Sequence, residues 1–114
     1  LQQNNWLPLG TDFPVEDISP FKTYLASVHR VDAEGFPDNG FQAENKLTPE
    51  ETLRGMTIWA AKANCMENET GSLEVGKKAD FIILHQDLLK TTPQTTLSTK
   101  VIATYLNGKK VFGE

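Results

Sequence analysis

Asp12, His29, His85, Cys65 and the stretch "GSLEVGKK" at residues 71 to 78 are where this chain could do chemistry. Asp12 ends the apolar run of "LPLGTDFPVE", residues 7 to 16, and a proline-containing loop follows. A carboxylate at the mouth of a buried strand costs free energy unless something uses it. Taken alone, it reads as a turn or cap residue after a strand. The two histidines could be metal ligands, but neither belongs to a close cluster with ligand spacing. His29 sits beside Arg30 at a helix end, where the helix dipole favours a cation. His85 ends a strand before a polar turn. Cys65 has no His or acid motif that marks it as a nucleophile, and it reads as a helix-end residue. "GSLEVGKK" approaches a phosphate-binding loop, but Lys78 stands where Ser or Thr should reach Mg²⁺. It also follows a helix and opens a strand, the reverse of the phosphate loop's setting. Two glycine turns leading into a strand account for it. Trp59 and Met56 read as core residues.

The elements that must hold these groups follow from periodicity. Residues 6 to 12 read as a short buried strand, with Pro8 near its start because proline cannot donate to a ladder. Ser19-Pro20 opens a helix, and Phe21, Tyr24, Leu25 and Val28 form its stripe. Residues 32 to 47 read as a long loop, a kind that is uncommon unless it covers a site or is disordered. "LTPEETLRGMTIWAAKANCM" is the clearest helix. Thr48 is its N-cap, Pro49 its first turn, and Glu51 completes a capping box. Leu53, Met56, Ala60 and Ala63 line one face, and Gly55 suggests close packing against another element. After Gly71 the period changes. "ADFIILH" reads as a strand covered on both faces, and "KVIATYLNGKKVF" as a hairpin turning at Asn107-Gly108. "QDLLKTTPQTTLST" between them is polar and turn-like.

Composition narrows the partners. A chain of 114 residues supports one modest core. A net charge of −4 and a pI near 5.1 argue against a general nucleic-acid binder, which needs a basic face. No apolar run approaches the roughly 18 to 20 residues that span a bilayer, so no membrane partner is expected. The single cysteine allows no internal disulfide and fits a reducing, cytoplasmic compartment. The opening "LQQNNW", with no initiator Met and no signal pattern, is expected to be the interior of a longer protein. The sequon-like Asn68-Glu69-Thr70 carries no weight without evidence of secretion.

Three stretches together resemble the metal-dependent amidohydrolase superfamily, and most closely its amidohydrolase family 3 branch. "LGTDFPVE" is similar to that branch's strand-ending Gly-Ser/Thr-Asp and Pro-Val loop. "LTPEETLRGMTIWAAKA" is similar to its helix after the last barrel strand. "GSLEVGKKADFIIL" is similar to its return into a small β-domain, and is the most specific of the three. "VIATYLNGKKVF" looks like the family's final hairpin. The resemblance implies an α/β plus β chain, the C-terminal end of a (β/α)₈ TIM barrel with part of an appended β-sandwich. Residues 1–70 would be the last strand and following helices of the barrel, and 71–114 the C-terminal strands of the sandwich.

The same resemblance gives Asp12 a role. Active sites of such barrels lie at the C-terminal ends of the strands. In the family, the aspartate ending the eighth strand binds or adjoins a divalent metal, with zinc the expected ion, so Asp12 would be a ligand only together with others absent from this chain. It takes a proton from the metal-bound water and passes it to the leaving group. The implied reaction is hydrolysis of a non-peptide C–N bond in a small amide-type molecule. Residues 13 to 18 and the loop 32–47 would overhang the site. Arg30 matches an Arg often found after that helix in the branch, and either faces substrate or forms a surface salt bridge. The family's His-x-His pair, its metal-bridging Lys or Glu and its later His ligands have no counterpart here. One carboxylate cannot hold a catalytic zinc, which takes three protein ligands or more. The isolated chain is therefore expected to be inactive and to bind metal weakly. Its open strand edges should favour self-association. The competing reading is a free-standing α+β interaction domain derived from such an enzyme, without catalysis.

Overall fold

Two short sequence signals start the chain's two longer helices, and each works through the backbone groups that a helix leaves unpaired at its beginning. In the computed structural model, which describes residues 1 and 4–113, helix α1 runs Pro20–His29 with Pro20 in its first turn. Ser19 precedes it but makes no side-chain cap; its own N–H donates to Asp17 Oδ1 at 3.0 Å. Helix α2, Pro49–Met56, has the full capping box. The Glu51 N–H donates to Thr48 Oγ1 at 3.2 Å, and the Thr48 N–H donates back to Glu51 Oε2 at 2.8 Å.

The expected long second helix is broken. Thr57 (φ −124°, ψ −96°) separates α2 from α3, Ile58–Ala63. Its hydroxyl donates to the Leu53 carbonyl at 2.6 Å, a side-chain bond that competes with the helix ladder. Close approaches flank the break. A Cβ on Gly55 would lie 2.8 Å from Leu9 Cγ and 2.9 Å from the Leu7 carbonyl oxygen. A Cβ on Gly71 would lie 2.7 Å from Ala61 Cβ. The break also moves the buried position from Ala63, which is exposed, to Ala61.

The second half is a three-stranded antiparallel sheet in the order β1–β2–β3, with β1 Phe81–Leu84, β2 Val101–Leu106 and β3 Lys109–Phe112. Phe81 stands opposite Tyr105, and their rings stack with centroids 4.5 Å apart. The β2–β3 turn is Asn107-Gly108, both at positive φ (49° and 75°), as a tight two-residue hairpin requires. Asp80 fixes that turn: its Oδ1 accepts the Asn107 N–H at 2.6 Å, and its Oδ2 accepts the Thr70 hydroxyl at 3.3 Å. Ala79 contributes a carbonyl to the Gly108 N–H at 2.9 Å.

The segment between β1 and β2 is more ordered than its polar composition suggests. It holds a 3₁₀ turn, Leu88–Lys90, and a one-turn helix α4, Pro93–Thr96. Leu88 is buried and joins Tyr24 and Val28 in the core, with Phe21, Leu53, Met56 and Leu84 packed around them. Tyr24 is 1% exposed, and its hydroxyl donates to the Leu88 carbonyl at 2.9 Å.

Two expectations fail within this chain. Residues 6 to 12 form no strand; the Leu9 N–H to the Gly55 carbonyl, at 2.9 Å, is their tie to α2. A lone segment with a proline has no ladder to join. Strand β1 is not covered on both faces, since Ile82 and Ile83 are 48% and 43% exposed.

Two stability measurements follow. Tyr24→Phe removes the hydroxyl and one donor to the Leu88 carbonyl, which keeps Thr91 Oγ1 at 2.9 Å, so urea unfolding should show a loss of no more than about 1 kcal/mol. Gly55→Ala should also lower the urea midpoint. The crowding against Leu7 and Leu9 costs about 1–3 kcal/mol, which opposes alanine's advantage of about 1 kcal/mol as a helix former.

Candidate active site

Asp12 is placed by a turn rather than by a strand end. Its φ is +56°, a left-handed conformation that Asp tolerates better than most residues. Its carbonyl accepts the Val15 N–H at 2.9 Å and the Glu16 N–H at 3.3 Å, closing the loop that carries Phe13 and Pro14. The Phe13 N–H leans on Thr11 Oγ1 at 3.4 Å. The Asp12 residue is exposed, and no described residue donates a hydrogen bond to its carboxylate. The carboxylate is thus held by the backbone alone and left open to whatever faces it.

Asp12 lines a cleft of about 600 Å³ between residues 9–17, α1 and the start of the loop after α1. Glu16, Asp17, Asp32 and Glu34 line it too, with Lys22 as its one lysine. Lys22 is engaged: its Nζ lies 2.7 Å from Asp17 Oδ2. That ammonium, aided by the Ser19 N–H, holds the Asp17 carboxyl below the usual carboxylate range, and Asp17 in turn raises Lys22. Asp32 spends one oxygen on its own loop, with Oδ1 accepting the Glu34 and Phe36 N–H groups at 3.0 and 2.8 Å. The apolar wall comes from Leu9, Leu25 and Ala26. Sequence reading put residues 13–18 and the long loop over Asp12. Glu16 and Asp17 do line the cleft, but from the loop only its first residues, through Glu34, reach it. The spacing of the acids gave no sign of this division, because it depends on where the chain turns back.

Arg30 does not line the cleft. It is the left-handed cap of α1, with φ +60°, and its Nε donates to the Phe41 carbonyl at 2.9 Å. The salt bridge weighed for it is absent among the described residues; the guanidinium binds backbone instead. His85 is structural here, its Nδ1 accepting the Lys100 N–H at 2.9 Å. His29 departs from the expected cation at a helix end. Burial, and then the charge of Lys46, push its pKa below the ordinary histidine value. Cys65 is exposed, unpaired in any disulfide, and lies just past α3. In "GSLEVGKK" the lysines turn to their neighbours, Lys77 to Ser72 at 2.7 Å and Lys78 to Glu69 at 2.9 Å.

A metal site needs several ligands in one place, and among the described residues no group of three or more His, Cys, Asp or Glu could hold one. Asp12 by itself does not fit a zinc site of three protein ligands. It can accept protons and hydrogen bonds in an open cleft, and it can complete a ligand set begun by other residues.

Comparison with known proteins gives this geometry a setting. Protein LONG AFTER FAR-RED 3 of Arabidopsis thaliana is 33% identical over 112 residues, 98% of this chain and 19% of that protein. The N-substituted formamide deformylase of Arthrobacter pascens is 30% identical over 88% of this chain and 18% of its own length. The imidazolonepropionase of Pseudomonas aeruginosa shares 62% identity over a shorter stretch of 37 residues, 32% of this chain and 9% of that protein. In structure, an amidohydrolase from Thermotoga maritima MSB8 superposes with a TM-score of 0.59 at 21% identity, over 90% of this chain and 22% of its own. The chain therefore spans about a fifth of the relatives it matches along most of its length. The sequence pattern of the Amidohydrolase family runs through residues 1–112, and the chain belongs to that family.

Proposed function

We propose that this chain is the C-terminal segment of an amidohydrolase that hydrolyses a non-peptide C–N bond, with Asp12 as its general base. The observation that carries the reading is the exposed Asp12 carboxylate, fixed by a backbone turn in a family-matched segment and facing a cleft with no partner of its own. Asp12 takes a proton from the attacking water as its oxygen adds to the acyl carbon. It then delivers that proton to the departing nitrogen as the C–N bond breaks. Two names among the relatives, a formamide deformylase and an imidazolonepropionase, are consistent with a small amide-type substrate. A divalent cation, with zinc as the first candidate, belongs to the same reading, held by side chains of the longer protein. Residues 1–70 would then be the end of a (β/α)₈ barrel and 71–114 part of a β-sandwich. The exposed segment 6–12 supports this, since a strand that lacks neighbours here would gain them there. Arg30, bound to the Phe41 carbonyl, serves as a brace of the loop in this reading rather than as a substrate ligand.

The alternative is a free-standing interaction domain without catalysis. It draws support from the apolar residues on the sheet, with Ile82, Ile102 and Phe112 all exposed. Self-association of the chain fits either reading.

Two experiments separate them. In the full-length protein, Asp12→Asn keeps the shape and removes the base, so kcat against N-formyl and cyclic amide substrates should fall by a factor of about 10²–10⁴. Unchanged kcat would remove Asp12 from the chemistry. The purified 114-residue chain with zinc should show no turnover of the same substrates. Robust hydrolysis by the chain alone would show that it carries a complete site.

A further inference from the structure

The segment after α1 folds back onto the helix turn that His29 ends. After leaving α1 the chain loops out and returns, and two backbone bonds and one from a side chain fasten the return to the helix's last turn. The Phe41 N–H donates to the Arg30 carbonyl at 2.8 Å, Arg30 Nε donates to the Phe41 carbonyl at 2.9 Å, and the Leu47 N–H donates to the Ser27 carbonyl at 2.9 Å. Gly40 sits directly on this turn; a Cβ there would come within 2.8 Å of the His29 carbonyl oxygen. His29 Nε2 is buried and has no hydrogen-bond partner. A neutral imidazole tolerates that position at modest cost, whereas an imidazolium would bury a donor bearing charge with nothing to receive it.

The charges around His29 do not compensate. From the returning segment Lys46 faces it with the same sign. Arg30, next on its own element, is spent on Phe41. From α2 come Glu50 and Arg54, paired with each other at 2.9 Å, and Glu51, bound to Thr48. Helix α4, also packed on α1, carries no titratable side chain, and the 3₁₀ turn whose Leu88 meets Tyr24 and Val28 brings Lys90, paired with Asp87 at 3.1 Å. Asp32, at the start of the loop, receives its own loop's N–H groups.

We propose that residues 38–47 form an acid-sensitive strap, latched to the C-terminal turn of α1 while His29 is neutral and released when His29 takes up a proton. The sign follows from the direction of the shift. Burial and Lys46 lower the His29 pKa in the latched state, whereas a released histidine titrates near about 6.5. The released state therefore binds the proton more readily. The latch is at full strength above about pH 6.5 and weakens as pH falls below it, at most about tenfold per pH unit for one proton. The strap begins a few residues after Asp32 and Glu34, which line the Asp12 cleft, so its release frees the loop that carries them. The device does not depend on the hydrolase reading, because every group in it lies within this chain.

Hydrogen exchange on the 114-residue chain tests it. Protection factors, corrected for intrinsic exchange, are followed for the Phe41 and Leu47 amides and for sheet amides such as Ala103 from pH 7.5 to 5. Phe41 and Leu47 should lose protection several-fold below pH 6.5 while Ala103 keeps its own. His29→Gln, neutral at every pH, should abolish the dependence. If that variant does not fold, an NMR titration of His29 in the unaltered chain replaces it. Its midpoint must lie below about 6.5, and the loss at Phe41 and Leu47 must fall in the pH range between that midpoint and about 6.5. Flat protection at Phe41 and Leu47, an equal loss at Ala103, the same loss in His29→Gln, or a His29 midpoint at or above the free value would each overturn the proposal.

Discussion

One long-range hydrogen bond anchors α1 to the second half of the chain: the Tyr24 hydroxyl on the Leu88 carbonyl, sixty-four residues apart in sequence. It is buried, and it sits inside the core cluster of Tyr24, Val28 and Leu88. Tyrosine fills this space and aims its hydroxyl at a carbonyl that Thr91 Oγ1 also meets at 2.9 Å. Helix α1 is thereby pinned to the segment between β1 and β2. The Asp12 loop, the cleft wall on α1 and the strap after it all take their positions from that anchored helix. A small core makes this dependence sharp, since few other buried side chains could carry the load.

The local rules in this chain were legible where the chemistry is local. The capping box of Thr48 and Glu51, the Pro20 and Pro49 helix starts and the Asn107-Gly108 turn all read correctly, because each involves residues within a few positions of one another. Gly55 was read as a point of close packing, and it abuts Leu7 and Leu9. What stayed hidden depends on distant partners. Segment 6–12 has the composition of a strand but no ladder within the chain. The break at Thr57 follows from a hydroxyl choosing the Leu53 carbonyl in a stretch whose composition is helical throughout. Leu88 lies in a polar run, and only the arrival of Tyr24 makes it a core residue.

The candidate site divides in the same way. Asp12 stood out because the residues before and after it follow a family pattern, while its positive φ and its lack of a partner needed coordinates. The gathering of Glu16, Asp17, Asp32 and Glu34 about it was not visible as a group. These acids come from two loops on either side of α1, and only the helix's placement brings them together. Histidine behaves in the opposite sense. Sequence position put His29 at the dipole's negative end, where charge is favoured. Burial outweighs that preference, because the dipole contributes only about 0.3–1 kcal/mol at such a terminus, and the Lys46 charge adds to the effect of burial.

The period changes after Gly71, a boundary between a helical part and a sheet, yet that place is stitched shut. Gly71 is pressed against Ala61, the Lys78 N–H reaches the Glu69 carbonyl at 2.8 Å, and Asp80 grips both Thr70 and the hairpin turn. A joint built this way transmits torque instead of absorbing it. Any force that tilts α3 also tilts the hairpin, much as a spanner turns with its handle. The helical part and the sheet are thus mechanically one lever, with Asp80 as its rivet.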